Sequence, residues 1–222
     1  MKVIEYIDIH THGNSGAAKS VLNLFPEENL PEMSGRLFSI GLHPWYIDIK
    51  DYNDKIEIVR NWAKNKSCIA IGETGLDKIS KTNFDLQRIL FEKHIAIAEE
   101  NYKPLIIHCV RAFDELIGIK KITDSKVPWI VHGYNSKPQT AERLINEGLI
   151  LSFGKALTHP GSNAKKILET ISENRFFLET DDSTLSIQEI YAFAAKIRKI
   201  SINTLAEMIQ RNFERTFISQ HE

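Results

Sequence analysis

Imidazoles and carboxylates recur at the ends of short apolar runs in this chain. His10 and His12 lie in Asp8-Ile9-His10-Thr11-His12, His43 in Gly41-Leu42-His43-Pro44, and Glu73 in Ile71-Gly72-Glu73-Thr74-Gly75-Leu76-Asp77. His108 follows Ile106-Ile107, His132 follows Val131, and Asp181 closes Leu178-Glu179-Thr180-Asp181. Neutral imidazole and carboxylate are the ligands that divalent zinc, manganese, nickel and iron prefer. In an extended strand, His10 and His12 project from the same side, as two ligands of one ion must. A lone histidine at a strand end is more often a hydrogen-bonded core residue than a ligand. Here five of the eight histidines and two carboxylates fall at equivalent places. Burying such a set together without an ion is costly.

The elements that must position these groups alternate short apolar runs with longer amphipathic stretches, the pattern of βα units around a parallel sheet. Strands are expected at 3–9, 20–25, 37–42, 67–72, 104–108, 129–132, 149–153 and 176–179. Most are continuously apolar, as in strands covered on both faces. Helices are expected at 51–64, 83–101, 111–121, 137–147, 163–173, 187–200 and 201–217. Eight such strands close a (β/α)₈ barrel, in which catalytic groups gather at the carboxyl ends of the strands. The stretch 13–36 is short and carries Pro26, Pro31 and three glycines, so one or two outer helices are expected to be missing there. The expected fold is a distorted TIM barrel, shortened near its N-terminus, in one domain over residues 1–222.

Arg111 and Lys155 lie just past strand ends, where either could meet an anionic substrate; exposed cations are also common without such a role. Trp45-Tyr46 is read either as a substrate wall or as a cover for the barrel top. Glu179, two residues before Asp181, is read either as pointing the same way as Asp181 or as a support behind the centre, and Asp182 as a support or a solvent-facing residue. His94 is expected to be structural, His159 solvent-facing and His221 a terminal residue without a role.

Composition narrows the function classes. The 222 residues are 42% hydrophobic and 26% charged, with a formal net charge of -1, so no basic stripe for wrapping long nucleic acid is indicated. Cys68 and Cys109 sit beside apolar runs and, with no secretory leader evident, point to a reducing compartment. No apolar run is long enough to cross a bilayer. A cytoplasmic location is expected.

In order and spacing, the motifs resemble the TatD-like metal-dependent hydrolases and deoxyribonucleases of the amidohydrolase-like superfamily. The resemblance runs from Asp8-x-His10-x-His12 through Gly41-Leu42-His43-Pro44, Gly72-Glu73-Thr74-Gly75-Leu76-Asp77, the run ending at His108, and His132-Gly133-Tyr134, to Leu178-Glu179-Thr180-Asp181 and Asn212-Phe213. It implies a distorted TIM barrel with a site for one or two divalent ions (zinc, manganese, nickel or magnesium). His10, His12 and Asp181 would hold the first ion, Glu73 would bridge, and His108 and His132 would hold the second. His43 would touch substrate. The segment between His12 and His43 is shorter than is usual in the family, and Arg111 stands one residue further from His108 than the family's arginine does.

The expected chemistry is hydrolysis by metal-activated water, with Asp181 accepting the proton and Glu73 bridging the ions. The bond the resemblance points to is a phosphodiester, with DNA or a small phosphoester as substrate. The alternatives are amide or small-phosphoester hydrolysis on the same site and, from a different class, a non-catalytic metal-binding scaffold.

Overall fold

A computed structural model of the chain describes residues 5–13, 16–27 and 35–218. Eight strands run in chain order around one sheet, every neighbouring pair parallel: β1 Ile7–Thr11, β2 Lys19–Leu24, β3 Phe38–Ile40, β4 Cys68–Asp77, β5 Leu105–Val110, β6 Trp129–Val131, β7 Ile150–Phe153 and β8 Phe176–Leu178. A bridge between Thr11 and Asp181 joins the first strand to the last. The His12 amide donates to Asp181 O at 3.1 Å and the Asp181 amide to His10 O at 2.9 Å. The expected TIM barrel is thus present, and the two strands that bring His10, His12 and Asp181 are tied to each other through those same residues.

Seven α-helices follow from β3 onward: α1 Tyr52–Trp62, α2 Phe84–Glu100, α3 Phe113–Thr123, α4 Pro138–Asn146, α5 Asn163–Thr170, α6 Ile187–Arg198 and α7 Ile202–Phe213. Their starts are encoded locally. The side chains of Asn83, Ser162, Ser186 and Ser201 cap the first free amides of α2, α5, α6 and α7, and at α6 the Glu189 carboxylate returns to Ser186 in a capping box. The described residues between β1 and β2, and between β2 and β3, contain no helix, as the shortened segment implied. Residues 3–4 of the first expected strand and His221 lie outside the described residues.

Between barrel and helices the core is continuous, and Trp129, Tyr191, Phe38, Phe91, Phe153, Phe176 and Phe177 are all fully buried. Removing each such ring from water contributes about 1.5–3 kcal/mol. Tyr191 is a polar group within this layer whose hydroxyl is satisfied twice. The Tyr191 hydroxyl of α6 accepts the Ile7 amide at 3.2 Å and donates to Ile7 O at 3.1 Å.

The fourth strand differs most from expectation. It continues through Glu73 to Asp77, so Glu73 lies within β4 rather than at its end. The register against β5 slips there, the two residues Gly72 and Glu73 facing the single Ile106 between the pairs Ile71–Leu105 and Thr74–Ile107. The extra residue of such a bulge bends the strand and re-aims a side chain. Glycines flank it. Gly72 and Gly75 have φ of 144° and 147°, and a Cβ there would stand 2.3 Å from Ile106 O and 2.0 Å from His108 O. Only glycine lets β4 approach β5 this closely.

His94 is structural, as expected. It is fully buried on α2, its Nδ1 donates to Leu90 O at 2.7 Å, and its Nε2 accepts the Leu42 amide at 3.0 Å. That second bond pins the backbone just before His43. Burial lowers the ring's pKa to about 4. The unfolded chain therefore takes up a proton below about pH 6.5 that the folded chain refuses, and stability falls as the pH drops. Between pH 7.5 and 5 the loss from this group is about 2 kcal/mol. His94→Gln, which can still accept the Leu42 amide, should flatten that part of the dependence, read as the difference between the two proteins' urea midpoints at each pH. Parallel pH profiles for the two proteins would contradict this account.

Candidate metal centre

Glu73, only 4% exposed, is the meeting point of the rim. Its Oε2 lies 3.5 Å from His10 Nε2 and 3.6 Å from His12 Nε2. Its Oε1 lies 2.8 Å from His132 Nε2, 3.1 Å from His108 Nδ1 and 3.1 Å from His43 Nε2. Asp181 Oδ1 completes the first group, 3.7 Å from His10 Nε2 and 3.5 Å from His12 Nε2. The two carboxylate oxygens of Glu73 thus face two different sets of imidazoles. Three groups satisfy the spacing of a metal site among the described residues: His10, His12 and Glu73; His10, His132 and Asp181; and His43, Glu73 and His108.

The first set fits an ion. Bonds of about 2.1 Å in a tetrahedron imply ligand–ligand edges of about 3.4 Å, close to the separations found here and too long for hydrogen bonds. Both ring nitrogens of His10 are buried without a hydrogen-bond partner. A buried polar group left so costs free energy that a cation on Nε2 would offset.

Around Glu73 Oε1 the tautomers decide. Asp77 Oδ2 lies 2.9 Å from His108 Nε2, so that nitrogen carries the proton and leaves the Nδ1 lone pair facing Glu73. This carboxylate–imidazole arrangement is the one that orients metal-binding histidines. His43 is the reverse case. Its Nδ1 accepts the Trp45 amide at 3.1 Å, so its neutral ring carries the proton on Nε2 and donates toward Glu73. Burial lowers the pKa of His43, against the pull of Glu73, which keeps the ring neutral. His43 therefore stands among the ligand-like groups as a hydrogen-bond donor.

Burial opposes the charge on Glu73, yet the surrounding imidazoles, His132 foremost, outweigh it and hold the carboxyl well below its usual range. Burial also opposes charging His132, and Glu73 and Glu179 together reverse that, raising it well above the ordinary imidazole value. The nearby Glu73 carboxylate is the largest influence on His12 and raises it too. Asp181 moves upward, through burial and then the nearby Glu179 charge.

Four supporting side chains complete the centre. Asn23 of β2 accepts the Glu73 amide at 2.8 Å and so fixes the bulge. Asp8 of β1 accepts the Thr180 amide at 3.1 Å and the Thr180 hydroxyl at 2.6 Å, clamping β1 to the segment carrying Asp181. Glu179 accepts the Gly133 amide at 2.6 Å and lies 3.4 Å from His132 Nδ1, the support role read for it from the sequence. Asp77 holds His108. Of these, Asn23 was missed, although a lone amide within Val21-Leu22-Asn23-Leu24 was a usable signal.

Lys155 is exposed at the start of a 3-10 turn after β7 and pairs with Asp182 beside the site. Arg111 is exposed directly after β5 with φ of 53° and makes no ion pair among the described residues. His159 is exposed, as expected. A cleft of about 740 Å³ opens next to Asp181, between Thr11–Gly13 and the Thr180–Gln188 segment.

The family model described as TatD related DNase matches residues 29–218. The chain belongs to this family. An uncharacterized metal-dependent hydrolase of Buchnera aphidicola is 30% identical over 199 residues, 82% of this chain and 74% of the relative. One from Methanocaldococcus jannaschii is 28% identical over 187 residues, 78% and 72% of the two chains. Among solved structures, the YjjV TatD homologue of Escherichia coli superposes with a TM-score of 0.86 at 20% identity, covering 97% of this chain and 99% of that one. A TatD family hydrolase of Entamoeba histolytica gives 0.80 at 15% identity, covering 98% and 99%. TatD membership places the chain among metal-dependent hydrolases, on the barrel expected from its sequence.

The raised imidazoles set a pH dependence for metal uptake. Ligand nitrogens must lose their protons to bind an ion, so binding releases protons and weakens with acid. Zinc or manganese affinity of the metal-stripped protein should fall as the pH drops from 8 to 6, with proton release visible in calorimetry across buffers of different ionisation enthalpy. Uptake independent of both buffer and pH would contradict the assignment.

Proposed function

We propose that this TatD-family protein is a divalent-metal-dependent phosphodiesterase acting on DNA or a related phosphoester. The observation that carries the reading is the buried Glu73 carboxylate, with one oxygen facing His10 and His12 and the other facing His108 and His132. His10, His12, Asp181 and Glu73 would hold one ion; Glu73, His108 and His132 would hold the second. Bound there, divalent ions supply Lewis acidity to the scissile bond and bring a water's pKa toward neutrality.

The chain's own residues do the rest. Asp181 is 26% exposed on its side chain, is raised toward the working range of a base, and borders the cleft, so it accepts the proton of the attacking water. Asp8 and the Thr11 bridge hold it at that place. His43, with its proton on Nε2, donates to a substrate oxygen. Lys155 meets the phosphate when it exchanges its partner Asp182 for the substrate, and Arg111, exposed after β5, is the second cation available to a phosphate. An uncharged amide substrate would leave both cations without a purpose, which favours the phosphodiester.

His10→Ala should lose bound metal and at least a hundredfold in activity. Asp181→Asn should keep the ion that His10, His12 and Glu73 hold and still lose about 10²–10⁴ in kcat. The checks are metal analysis and hydrolysis of an oligodeoxynucleotide with and without chelator. Full activity in chelated protein would overturn the mechanism. Bound metal without turnover of any ester or amide would favour a scaffold role.

A further inference from the structure

One side of the centre is walled by aromatic rings with no part in ligation. Phe25 follows β2, and Trp45 and Tyr46 form the 3-10 turn Pro44–Tyr46 that His43 caps. Phe25 stands 5.8 Å from the His12 ring and 5.1 Å edge-on from Tyr46. Tyr46 is 5.5 Å from His43, and Trp45 is 5.3 Å from His43 and 5.9 Å from His108. Trp45 and Tyr46 are 55% and 54% exposed. Two large adjacent rings left in water beside a centre read as catalytic carry a hydration cost that an occupant would remove.

The ledge is also rigid. The Trp45 indole N–H donates to Asp77 Oδ2 at 2.6 Å, the oxygen that also accepts the hydrogen bond of the His108 Nε2–H. The ring plane is therefore set by the carboxylate that orients a proposed ligand. The cleft beside Asp181 is different in kind, with Ser183, Thr184 and Gln188 lining it and the Lys155–Asp182 pair beside it. The site thus has an aromatic flank and a polar flank, which meet at His12, in contact with Phe25 and lining the cleft.

We propose that Trp45 and Tyr46, with Phe25 behind them, form a stacking platform for one nucleobase flanking the scissile phosphodiester, while the sugar-phosphate chain leaves through the polar cleft. The proposal rests on the phosphodiesterase reading and adds to it the part of the substrate that is recognised. Stacking on a ring face suits every base, so recognition would be of a base as such rather than of a sequence. The platform favours an unpaired base, since a paired one does not offer its face.

The test compares a deoxydinucleotide with its two counterparts lacking either base. For the natural protein, removing one of the two bases should lower kcat/KM about tenfold, mainly through KM. In Trp45→Ala and Tyr46→Ala that preference should shrink toward one. If the variants slow base-bearing and abasic substrates by the same factor, or if the natural protein shows no preference, the platform is wrong. Tyr46→Ala alone serves if Trp45→Ala does not fold. A second readout needs no turnover: a nucleoside monophosphate should quench the exposed Trp45 fluorescence, the quench should vanish in Trp45→Phe, and it should weaken in Tyr46→Ala. If no dinucleotide is cleaved, the phosphodiesterase reading fails, and the quench then decides the platform alone; no quench overturns it.

Discussion

A carboxylate buried in a barrel must be compensated or give up its charge. Glu73 keeps its charge because imidazoles from β1, β3, β5 and β6 converge on its two oxygens. That single requirement explains several features of the fold at once. The bulge in β4 turns Glu73 toward these partners, Gly72 and Gly75 let the strand come against β5, and the Asn23 amide group holds the bulged backbone. The strands that deliver the histidines are themselves closed into a ring by the Thr11–Asp181 bridge.

Around this carboxylate, a second tier of acids assigns each imidazole its task. Asp77 accepts the hydrogen bond of the His108 Nε2–H and so frees the nitrogen that faces Glu73. Glu179 sits behind His132. His43 has a backbone amide where His108 and His132 have a carboxylate, and the result is a donor instead of a lone pair. One residue type thus serves two purposes at one rim, separated only by what lies behind each ring. The same tier links recognition to chemistry, since Asp77 holds both His108 and Trp45.

Much of this was legible in the sequence because it depends on periodicity and order. Continuous apolar runs marked the strands, the His-x-His pair marked one face of β1, and the lack of a helix among the described residues between β1 and β2 followed from a segment too short to hold one. The position of Glu73 within its strand was not legible. Glu73-Thr74-Gly75 reads as the end of a strand, and only the close approach of β5 shows why glycine stands there. The role of Asn23 depends on a backbone amide fifty residues away. The tautomer of His108 depends on Asp77, 31 residues away, so the residues alone did not separate His108 from His43, and only the family resemblance did. His94, by contrast, satisfies both ring nitrogens within the core, the ordinary fate of a helical histidine.

The central claim is that the two oxygens of Glu73 face two cation sites. Anomalous diffraction from crystals of the protein loaded with manganese or zinc tests it most directly. The account predicts one peak bounded by His10, His12, Asp181 and Glu73, and a second on the His108 and His132 side of the same carboxylate at sufficient metal. Metal-loaded crystals with no peak at Glu73, the imidazoles still hydrogen-bonded to its carboxylate, would contradict it.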